Sequence, residues 1–240
     1  MLPARCAGCG TDRGQLCPDC RQALATALPS PSAALPWVHA AAPYADPVRR
    51  LLLAHKERGA LRLAGPLGDA LARSVRAALG PDPGRSPLLL VPVPSARAAV
   101  RARGHDATLR LADAAARSLR RTGLDARAVP LLRHARPVAD QTGLSAAQRR
   151  HNLHGALAVR PGAHRRSAGC RPVLVDDLVT TGASLAEAAR ALAGAGLPPR
   201  AAATVAAAVP HRPHRPHRPH RSTRGRHGDG NGAAPPPPGR

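Results

Sequence analysis

The chain of 240 residues has few aromatic residues and almost no lysine. It contains no phenylalanine and no isoleucine, and Trp37, Tyr44 and Lys56 are the single residues of their types. A hydrophobic core must therefore be built from leucine, valine and alanine, without the large buried areas that aromatic side chains supply. The shortage also argues against a protein that binds single-stranded nucleic acid by stacking bases on aromatic rings.

Long apolar runs are absent as well. No stretch of about 18 apolar residues occurs, so we expect no transmembrane helix. The N-terminus lacks the basic and then apolar segment of a secretory signal, which predicts a cytoplasmic protein. The formal net charge is +22. Such a charge makes polyanions natural partners, although the abundance of Arg, Ala, Gly and Pro also fits a GC-rich genome, which weakens that argument.

Four of the five cysteines form two CxxC pairs separated by seven residues. The spacing is typical of a tetrahedral Zn²⁺ held by four thiolates, and Gly8 and Gly10 let the backbone turn around the ion. A closed shell of thiolates predicts a structural metal. A redox pair would need a thioredoxin-like context that is absent here, and two disulfides would need an oxidising compartment. Cys170 is left over and is expected to be buried at a strand start. The expected ligands are Cys6, Cys9, Cys17 and Cys20.

The most informative segment, 171–184, reads RPVLVDDLVTTGAS. A buried parallel strand over Pro172–Val175 runs into two adjacent carboxylates, Asp176 and Asp177. A turn of Thr, Thr and Gly follows, and an amphipathic helix begins after it. Backbone N–H groups of such a turn and helix N-terminus can cradle a phosphate, and the carboxylates can accept hydrogen bonds from the hydroxyls of a ribose. Ligands of parallel sheets bind outside the carboxyl ends of the strands.

The helix after this turn is predicted by apolar residues at helical spacing, and Gly194 and Gly196 end it. Ser184 is the expected N-cap, and Glu187 three residues later completes a capping box. The alternative is an ordinary strand–loop–helix unit with a capped helix. Two adjacent carboxylates repel each other unless a ligand, a metal or a base neutralises them, which favours the phosphoribose interpretation.

Strand and helix patterns alternate along the chain, which predicts an α/β fold with a parallel sheet flanked by helices. A linker is expected at 29–36 because it contains three prolines. The polar stretch Arg133–Gly155 is expected to be a long, mobile, functional loop. The expected helices cover 21–28, Asp46–His55, Leu67 to Leu79 and Leu109 to Leu119. The expected strands cover Leu88–Val93, 125–132 and about 201–209.

Composition divides the chain into a zinc-knuckle module over 1–28, the α/β domain over 29–209 and a tail over 210–240. In the tail, Pro-His-Arg repeats four times and no hydrophobic period survives. We expect this tail to be disordered with polyproline character. Its His and Arg side chains could hold a metal or polyanions, but composition favours a tail without any site.

The segment Asp176–Ser184 resembles the phosphoribosyl-pyrophosphate (PRPP) loop of the type I phosphoribosyltransferases. In that superfamily the two acids hold the ribose hydroxyls and the Thr/Gly turn binds the 5′-phosphate. A PRPP enzyme also needs a place for pyrophosphate, which the strand end at Pro94 and Ser95 and the arginines after it could supply. The alternative is an arginine-rich helix that faces solvent. These arginines are Arg97, Arg101 and Arg103.

With the cysteines, the chain resembles the ComF family, which joins an N-terminal cysteine module to a phosphoribosyltransferase domain. The likeness covers about residues 5–209. The chain reads RGHDA from Arg103, where family members often have RGFNQ, which concerns polar contacts near the pyrophosphate. Leu157 replaces an aromatic residue and affects only packing. The matching blocks are the CxxC pairs, Leu51–Gly59, Val91–Pro94 with Arg103 and Gly104, and Gln141–Ser145 with Arg149, Asn152 and Gly155.

The resemblance implies a Rossmann-like type I phosphoribosyltransferase fold and displacement of pyrophosphate at ribose C1 of PRPP by an unidentified nucleophile, with Mg²⁺ as cofactor. Asp176, Asp177 and Arg149 would be catalytic, and a loop carrying Gln141, Arg149 and Asn152 would close over the ligand. No general base for the acceptor is evident. The residues that would bind PRPP are Asp176, Asp177, Thr180, Thr181, Gly182, Ser184, Pro94, Ser95 and Arg103.

Two other functions stay open. The ComF resemblance implies a link to DNA uptake, so the protein could be a competence protein that binds single-stranded DNA through the zinc module and the basic tail. It could also be a PRPP binder without turnover. The acceptor pocket is expected in a variable hood over residues 37–60, which includes Trp37, Tyr44 and Lys56.

Overall fold

The computed structural model describes residues 5–26, 29–32, 35–81, 84–138 and 145–208. A short 3₁₀ turn, Leu61–Leu63, precedes α3. The helices are α1 Pro18–Thr26, α2 Val48–Glu57, α3 Ala64–Leu79, α4 Arg97–Arg103, α5 Ala107–Arg121, α6 Ala146–Leu153, α7 Ala163–Ser167 and α8 Ala183–Gly194. The strands are β1 Ser30–Pro31, β2 Val38–Pro43, β3 Leu88–Pro92, β4 Ala126–Ala128, β5 Leu132–His134, β6 Leu157–Val159, β7 Arg171–Val179 and β8 Ala201–Ala207.

Six strands form one sheet in the order β1-β2-β8-β7-β3-β4. Only β1 is antiparallel to its neighbour, and the other four pairings are parallel. In the centre, Val175 of β7 lies opposite Pro92 of β3, and Asp176 lies opposite Thr204 of β8. β5 and β6 form a separate antiparallel pair. The predicted α/β architecture with a mostly parallel sheet flanked by helices is confirmed.

Both faces of the sheet are covered by apolar side chains. Val173 and Val175 of β7 belong to the cluster built by α2, α3 and α5, whereas Leu174 belongs to the cluster built by α8 and the β5–β6 pair. Small residues allow close contacts between helices. A Cβ atom at Gly68 of α3 would lie 2.4 Å from Ala114 Cβ of α5, so only glycine permits this approach of the two helices.

The direction of the chain reverses between β3 and β7. From β3 the chain continues through α4 and α5 to β4 at one edge, and from β7 it continues through α8 to β8 on the other side. The loops that follow β3 and β7 therefore diverge and leave a crevice at the carboxyl ends of these strands. Such a switch point is where open α/β sheets bind their ligands.

Several local predictions are wrong. The linker at 29–36 contains β1, and β2 was not predicted because its sequence, VHAAAP, is poor in the β-branched residues that mark strands. The stretch Arg133–Gly155 is not one loop, since it includes the end of β5 and all of α6. The single strand expected at 125–132 is divided between β4 and the start of β5, which belong to different sheets.

Other predictions fall partly or wholly outside the described residues. They include the tail at 210–240, the loop residue Gln141, the end of the helix expected at 21–28 and the end of the strand expected at about 201–209. The cysteine segment packs directly on the domain, because three of its sulfur-bearing side chains and Leu24 share the apolar cluster of α2 and α3. None of the described helices combines the length and the apolar character needed to cross a membrane.

Candidate functional site

The two adjacent acids lie at the carboxyl end of β7, as the sequence predicted. Asp177 points to the α2 face, where its Oδ2 accepts a hydrogen bond from Lys56 Nζ at 2.7 Å. Asp176 is half-buried, and its Oδ1 accepts from the backbone N–H of Asp177 at 2.8 Å. The structure thus supplies a base for the acid pair, and this base is the one lysine of the chain.

The charges of this cluster depend on one another. Burial and the neighbouring carboxylate of Asp177 raise the pKa of Asp176 well above its ordinary value. Burial opposes the charge of Lys56, but the carboxylates of Asp177 and Asp176 outweigh it and raise the pKa of the lysine. The resting site therefore holds a charged pair, Lys56 with Asp177, beside a carboxyl group that binds its proton more tightly than usual.

The backbone donors of the turn after β7 have no acceptor in the part of the chain that the structure describes. Gly182 adopts φ 75°, and α8 begins directly after it. Among the described residues, no acceptor takes a hydrogen bond from the amides of the turn or of the first two helical residues. These amides surround a hollow of about 30 Å³ that Asp176 also lines. They belong to Thr180, Thr181, Gly182, Ala183 and Ser184.

The predicted capping box is wrong. The N-cap of α8 is Gly182 rather than Ser184, and no side chain caps the helix. Glu187 is buried and accepts from the backbone N–H of Leu157 at 3.1 Å and from Arg190 at 2.7 Å. Its carboxylate is thus engaged by Leu157 of β6 and by Arg190 of α8 itself, and it does not cap the helix. The helix N-terminus has no side-chain cap, and its first N–H groups have no partner among the residues that the structure describes, which favours an anion.

The end of β3 lies beside the acid pair. The backbone N–H of Val93 donates to the carbonyl of Val175 at 2.9 Å, which extends the contact between β3 and β7 toward Pro94. The hydroxyl of Ser95 donates to Asp106 Oδ1 at 3.2 Å, and the same carboxylate oxygen caps α5 by accepting from Leu109 N–H at 3.1 Å. Ser95 therefore lies at the crevice, and its hydroxyl hydrogen is bonded to Asp106.

The three arginines after β3 have two different roles. Arg103 turns inward, where its Nη1 donates to the carbonyl of Lys56 at 3.4 Å and its Nε lies 3.6 Å from Glu57. It braces the end of α2. Arg97 and Arg101 are exposed to solvent and line two neighbouring cavities of about 330 and 420 Å³.

These two cavities form what we call the arginine groove, between α4 and the β5 segment. Its basic side chains come from both walls, and Asp106 is the single acid among its described lining residues. Sequence reasoning missed the second wall, because it assigned that stretch to a loop. The basic lining residues are Arg97, Arg101, Arg133, His134, Arg136 and Arg160.

The predicted loop residue Arg149 lies on α6. This helix packs beside the start of α8, since Leu153 and Ala183 share one apolar cluster. Among the described residues, none accepts a hydrogen bond from the buried Nε of Arg149. Asn152 lies on the same helix. The structure brings α6 to the turn that follows β7, and it leaves one guanidinium nitrogen of Arg149 without a described partner.

The expected hood divides into residues with different environments. Lys56 reaches the acid pair, Tyr44 packs half-buried against the core, and Trp37 is 41 % exposed. A buried histidine beside Lys56, His55, faces His105 with ring centroids 6.2 Å apart. Burial lowers the pKa of His55. The single lysine in an arginine-rich chain was the one sequence signal that could have identified the partner of Asp177.

The four N-terminal cysteines come together. Their sulfur atoms lie within 4.8 Å of one another, and Cys9 Sγ is 3.5 Å from Cys17 Sγ. Thiolates bound at about 2.3 Å to a tetrahedral zinc would lie about 3.8 Å apart, so the cluster fits such an ion. A Cβ at Gly8 would lie 2.7 Å from Cys20 Sγ, which explains the glycine inside the first CxxC. The group could bind a metal ion such as zinc.

The thiols of this cluster differ in acidity, because burial and the neighbouring thiols raise the pKa of Cys20. Burial alone would raise the pKa of Cys6, but backbone N–H groups, first that of Cys17 at 3.3 Å, lower it to about 6. No cysteine is paired in a disulfide. The leftover Cys170 is half-buried rather than buried. It lies directly before β7, where the Nη2 of Arg127 donates a hydrogen bond to its sulfur at 3.4 Å.

Comparison of the sequence with protein-family models finds no match, and comparison with curated proteins finds none either. The chemistry of the site itself is therefore the basis for assigning a function.

Proposed function

We propose that this protein is a phosphoribosyltransferase-like protein of the ComF type that binds PRPP. The observation that carries the proposal is helix α8, whose N-terminal amides have no acceptor among the described residues and follow the paired acids at the switch point of the sheet. An anion site and two hydroxyl acceptors on one strand–turn–helix unit match the two ends of a ribose 5-phosphate.

Each part of the ligand has a candidate partner. The amides of Thr181, Gly182 and Ser184 bind the 5′-phosphate, and the carboxylates of Asp176 and Asp177 accept from the ribose hydroxyls. Binding energy from the phosphate, which does not react, positions C1 of the ribose. At C1 the bond to the pyrophosphate oxygen breaks with its electron pair, and a bond to the unidentified nucleophile forms on the opposite side.

The donor set suits a divalent cation. Two carboxylates offer the hard oxygen ligands that Mg²⁺ prefers, and the ammonium of Lys56 already stands beside one of them as a cation. When bound, Mg²⁺ would neutralise charge on the substrate phosphates. The departing pyrophosphate is stabilised from the β3 side by Arg101 and Arg97 of the arginine groove. Arg149, on the helix beside the turn, is the third candidate cation.

The cysteine cluster has a separate role in this proposal. It holds a structural Zn²⁺ that anchors the N-terminal segment to α2 and α3. Reduced thiols ready for metal also suit a cytoplasmic protein.

The test is PRPP binding by calorimetry in the presence of Mg²⁺. We compare the wild type with the double variant Asp176→Asn and Asp177→Asn, which keeps the shape of both side chains. Loss of the two carboxylates should weaken binding at least 100-fold, at about 1.5–3 kcal/mol for each charged hydrogen-bonding group. Unchanged affinity in the double variant would refute the assigned roles.

The arginine groove favours a second candidate, a DNA-associated competence protein that uses the fold for binding. A row of arginines on two facing walls suits the phosphates of single-stranded DNA. Affinity for an oligothymidylate should then fall steeply with salt, and Arg97→Gln with Arg101→Gln should reduce the slope of log K against log salt by roughly 1.4. Binding that does not depend on salt, or no binding, would eliminate this candidate.

A further inference from the structure

The two side chains of the Lys56–Asp177 pair differ in their exposure to solvent. The side chain of Lys56 is 34 % exposed, and that of Asp177 is 10 % exposed. The ammonium is thus bonded to the less exposed partner of the pair. Because Oδ2 of Asp177 already accepts from Lys56, ribose hydroxyls would compete with the lysine for this oxygen.

Lys56 is held by a contact to its backbone carbonyl, whereas its ammonium contacts one described side chain. Arg103 donates to its carbonyl, and Arg103 is itself paired with Glu57 at the end of α2. Among the described residues, Asp177 is the one that accepts a hydrogen bond from the ammonium. An ammonium has three donors, and its four-carbon stem is flexible. Lys56 can therefore move its charge by several ångströms without disturbing α2.

The direction of that movement follows from the fold. Arg103, which braces Lys56, lies on α4 after β3, and the end of β3 lies beside β7. In the proposed function the pyrophosphate of PRPP would point toward this β3 side, where Arg101 and Arg97 line the arginine groove. The freed ammonium is thus between the ribose acids and the leaving group.

We propose that Lys56 is a displaceable counter-ion that becomes a ligand-binding residue. In the free protein it neutralises Asp177, because a buried carboxylate without a partner is strongly destabilising. When a ribose arrives, its hydroxyls replace Lys56 at Asp177, and the ammonium donates to pyrophosphate oxygens. This role rests on the proposed function and extends it to the leaving-group side of the site.

The competing explanation is an ion pair that only fastens α2 to β7. Two ligands separate the two roles, since ribose 5-phosphate has the hydroxyls and the phosphate but lacks pyrophosphate. A fastening role predicts that loss of Lys56 weakens both ligands alike. A displaceable counter-ion predicts opposite trends, because removal of the lysine opens Asp177 and also removes a contact to pyrophosphate.

The experiment measures both ligands by calorimetry with Mg²⁺ for wild type, Lys56→Met and Lys56→Arg. In Lys56→Met, PRPP should bind about 30-fold more weakly, the loss of one charged hydrogen bond, while ribose 5-phosphate should bind at least as tightly as before. Lys56→Arg should recover most of the PRPP affinity. Arg121→Gln removes an exposed charge of the Asp69 pair and should change neither value. Equal weakening of both ligands in Lys56→Met would overturn the proposal.

A second measurement reports on the wild type directly. Because Lys56 is the one lysine, an amine-reactive acetylating reagent followed by peptide mapping reports its accessibility. Ribose 5-phosphate should increase labelling of Lys56 several-fold, and PRPP should reduce it below the level of the free protein. The same labelling in all three states would overturn the proposal. Wild-type protein that binds neither ligand would instead contradict the proposed function itself.

Discussion

The two polar sites of this molecule are assembled in different ways. The cysteine cluster takes its four ligands from fifteen consecutive residues, and three of the four sulfur-bearing side chains are buried in the core. The acid-pair site opens to a crevice and combines neighbouring residues of β7 with Lys56, which is 121 positions away from Asp177. The closed site is suited to hold structure, and the open site is suited to exchange partners.

The largest expected effect comes from the closed site. Removal of metal with a chelator, or Cys17→Ser, should lower the free energy of unfolding by about 4 kcal/mol or more, as loss of a structural metal does. The melting temperature should fall by roughly 8–16 °C for a chain of this size. Thermal melts with and without chelator measure this, together with metal analysis of the purified protein. An unchanged melting temperature in the metal-free protein would contradict a structural role for the metal.

An intermediate effect is expected at the turn of the open site. Gly182→Ala puts a Cβ at φ 75° and within 2.4 Å of Leu35 Cγ, so strain and overpacking add. We expect a loss of about 3 kcal/mol in stability and weaker ribose 5-phosphate binding, since the amides move. Urea denaturation and calorimetry measure the two quantities.

Gly196→Ala is the matched control for this substitution. Gly196 also has a positive φ, 71°, but a Cβ added there would meet no atom within 4 Å. It should cost only about 1 kcal/mol, the backbone strain alone, and leave ligand binding intact. Equal losses in stability and affinity for both variants would show that the turn has no special relation to the ligand.

The smallest effect concerns the acid with the raised pKa. The pKa of Asp176 in the folded protein lies above its unfolded value, which is near 3.9. Its contribution to stability is therefore fully present below pH 3.9 and is lost as the pH rises through the folded pKa. Asp176→Asn cannot titrate but keeps the acceptor for Asp177 N–H. The stability of the variant relative to wild type should therefore rise between pH 4 and pH 8. Urea denaturation across this range measures it, and a difference that falls with pH would contradict the assignment.

The fold was predictable where side chains carry a clear period. The leucines of α3 and the valine–leucine run of β7 mark a helix and a buried strand without ambiguity. β2 was missed because a run of alanines carries little strand signal, although its neighbours bury it in the sheet. The β5–β6 pair was missed for another reason: its three-residue strands pair across more than twenty residues, which no local pattern reveals.

The site was predictable to the extent that it is local. Asp176, Asp177 and the turn to Gly182 follow one another in the sequence, and so do the cysteine pairs. The partner of Asp177, and the arginines that face α4 from β5, come from distant segments that only the tertiary structure brings together. The Ser184 cap was wrong because a sequence cannot show that Glu187 bonds to β6 instead.

The proposed function depends most on where a phosphorylated pentose binds, so a crystal structure with ribose 5-phosphate and Mg²⁺ is the most direct measurement. It should show phosphate oxygens bonded to the amides of Thr181, Gly182 and Ser184, ribose hydroxyls at Asp176 and Asp177, and Lys56 moved away from Asp177. A sugar bound elsewhere, with Lys56 still paired to Asp177 and the turn amides empty, would contradict it.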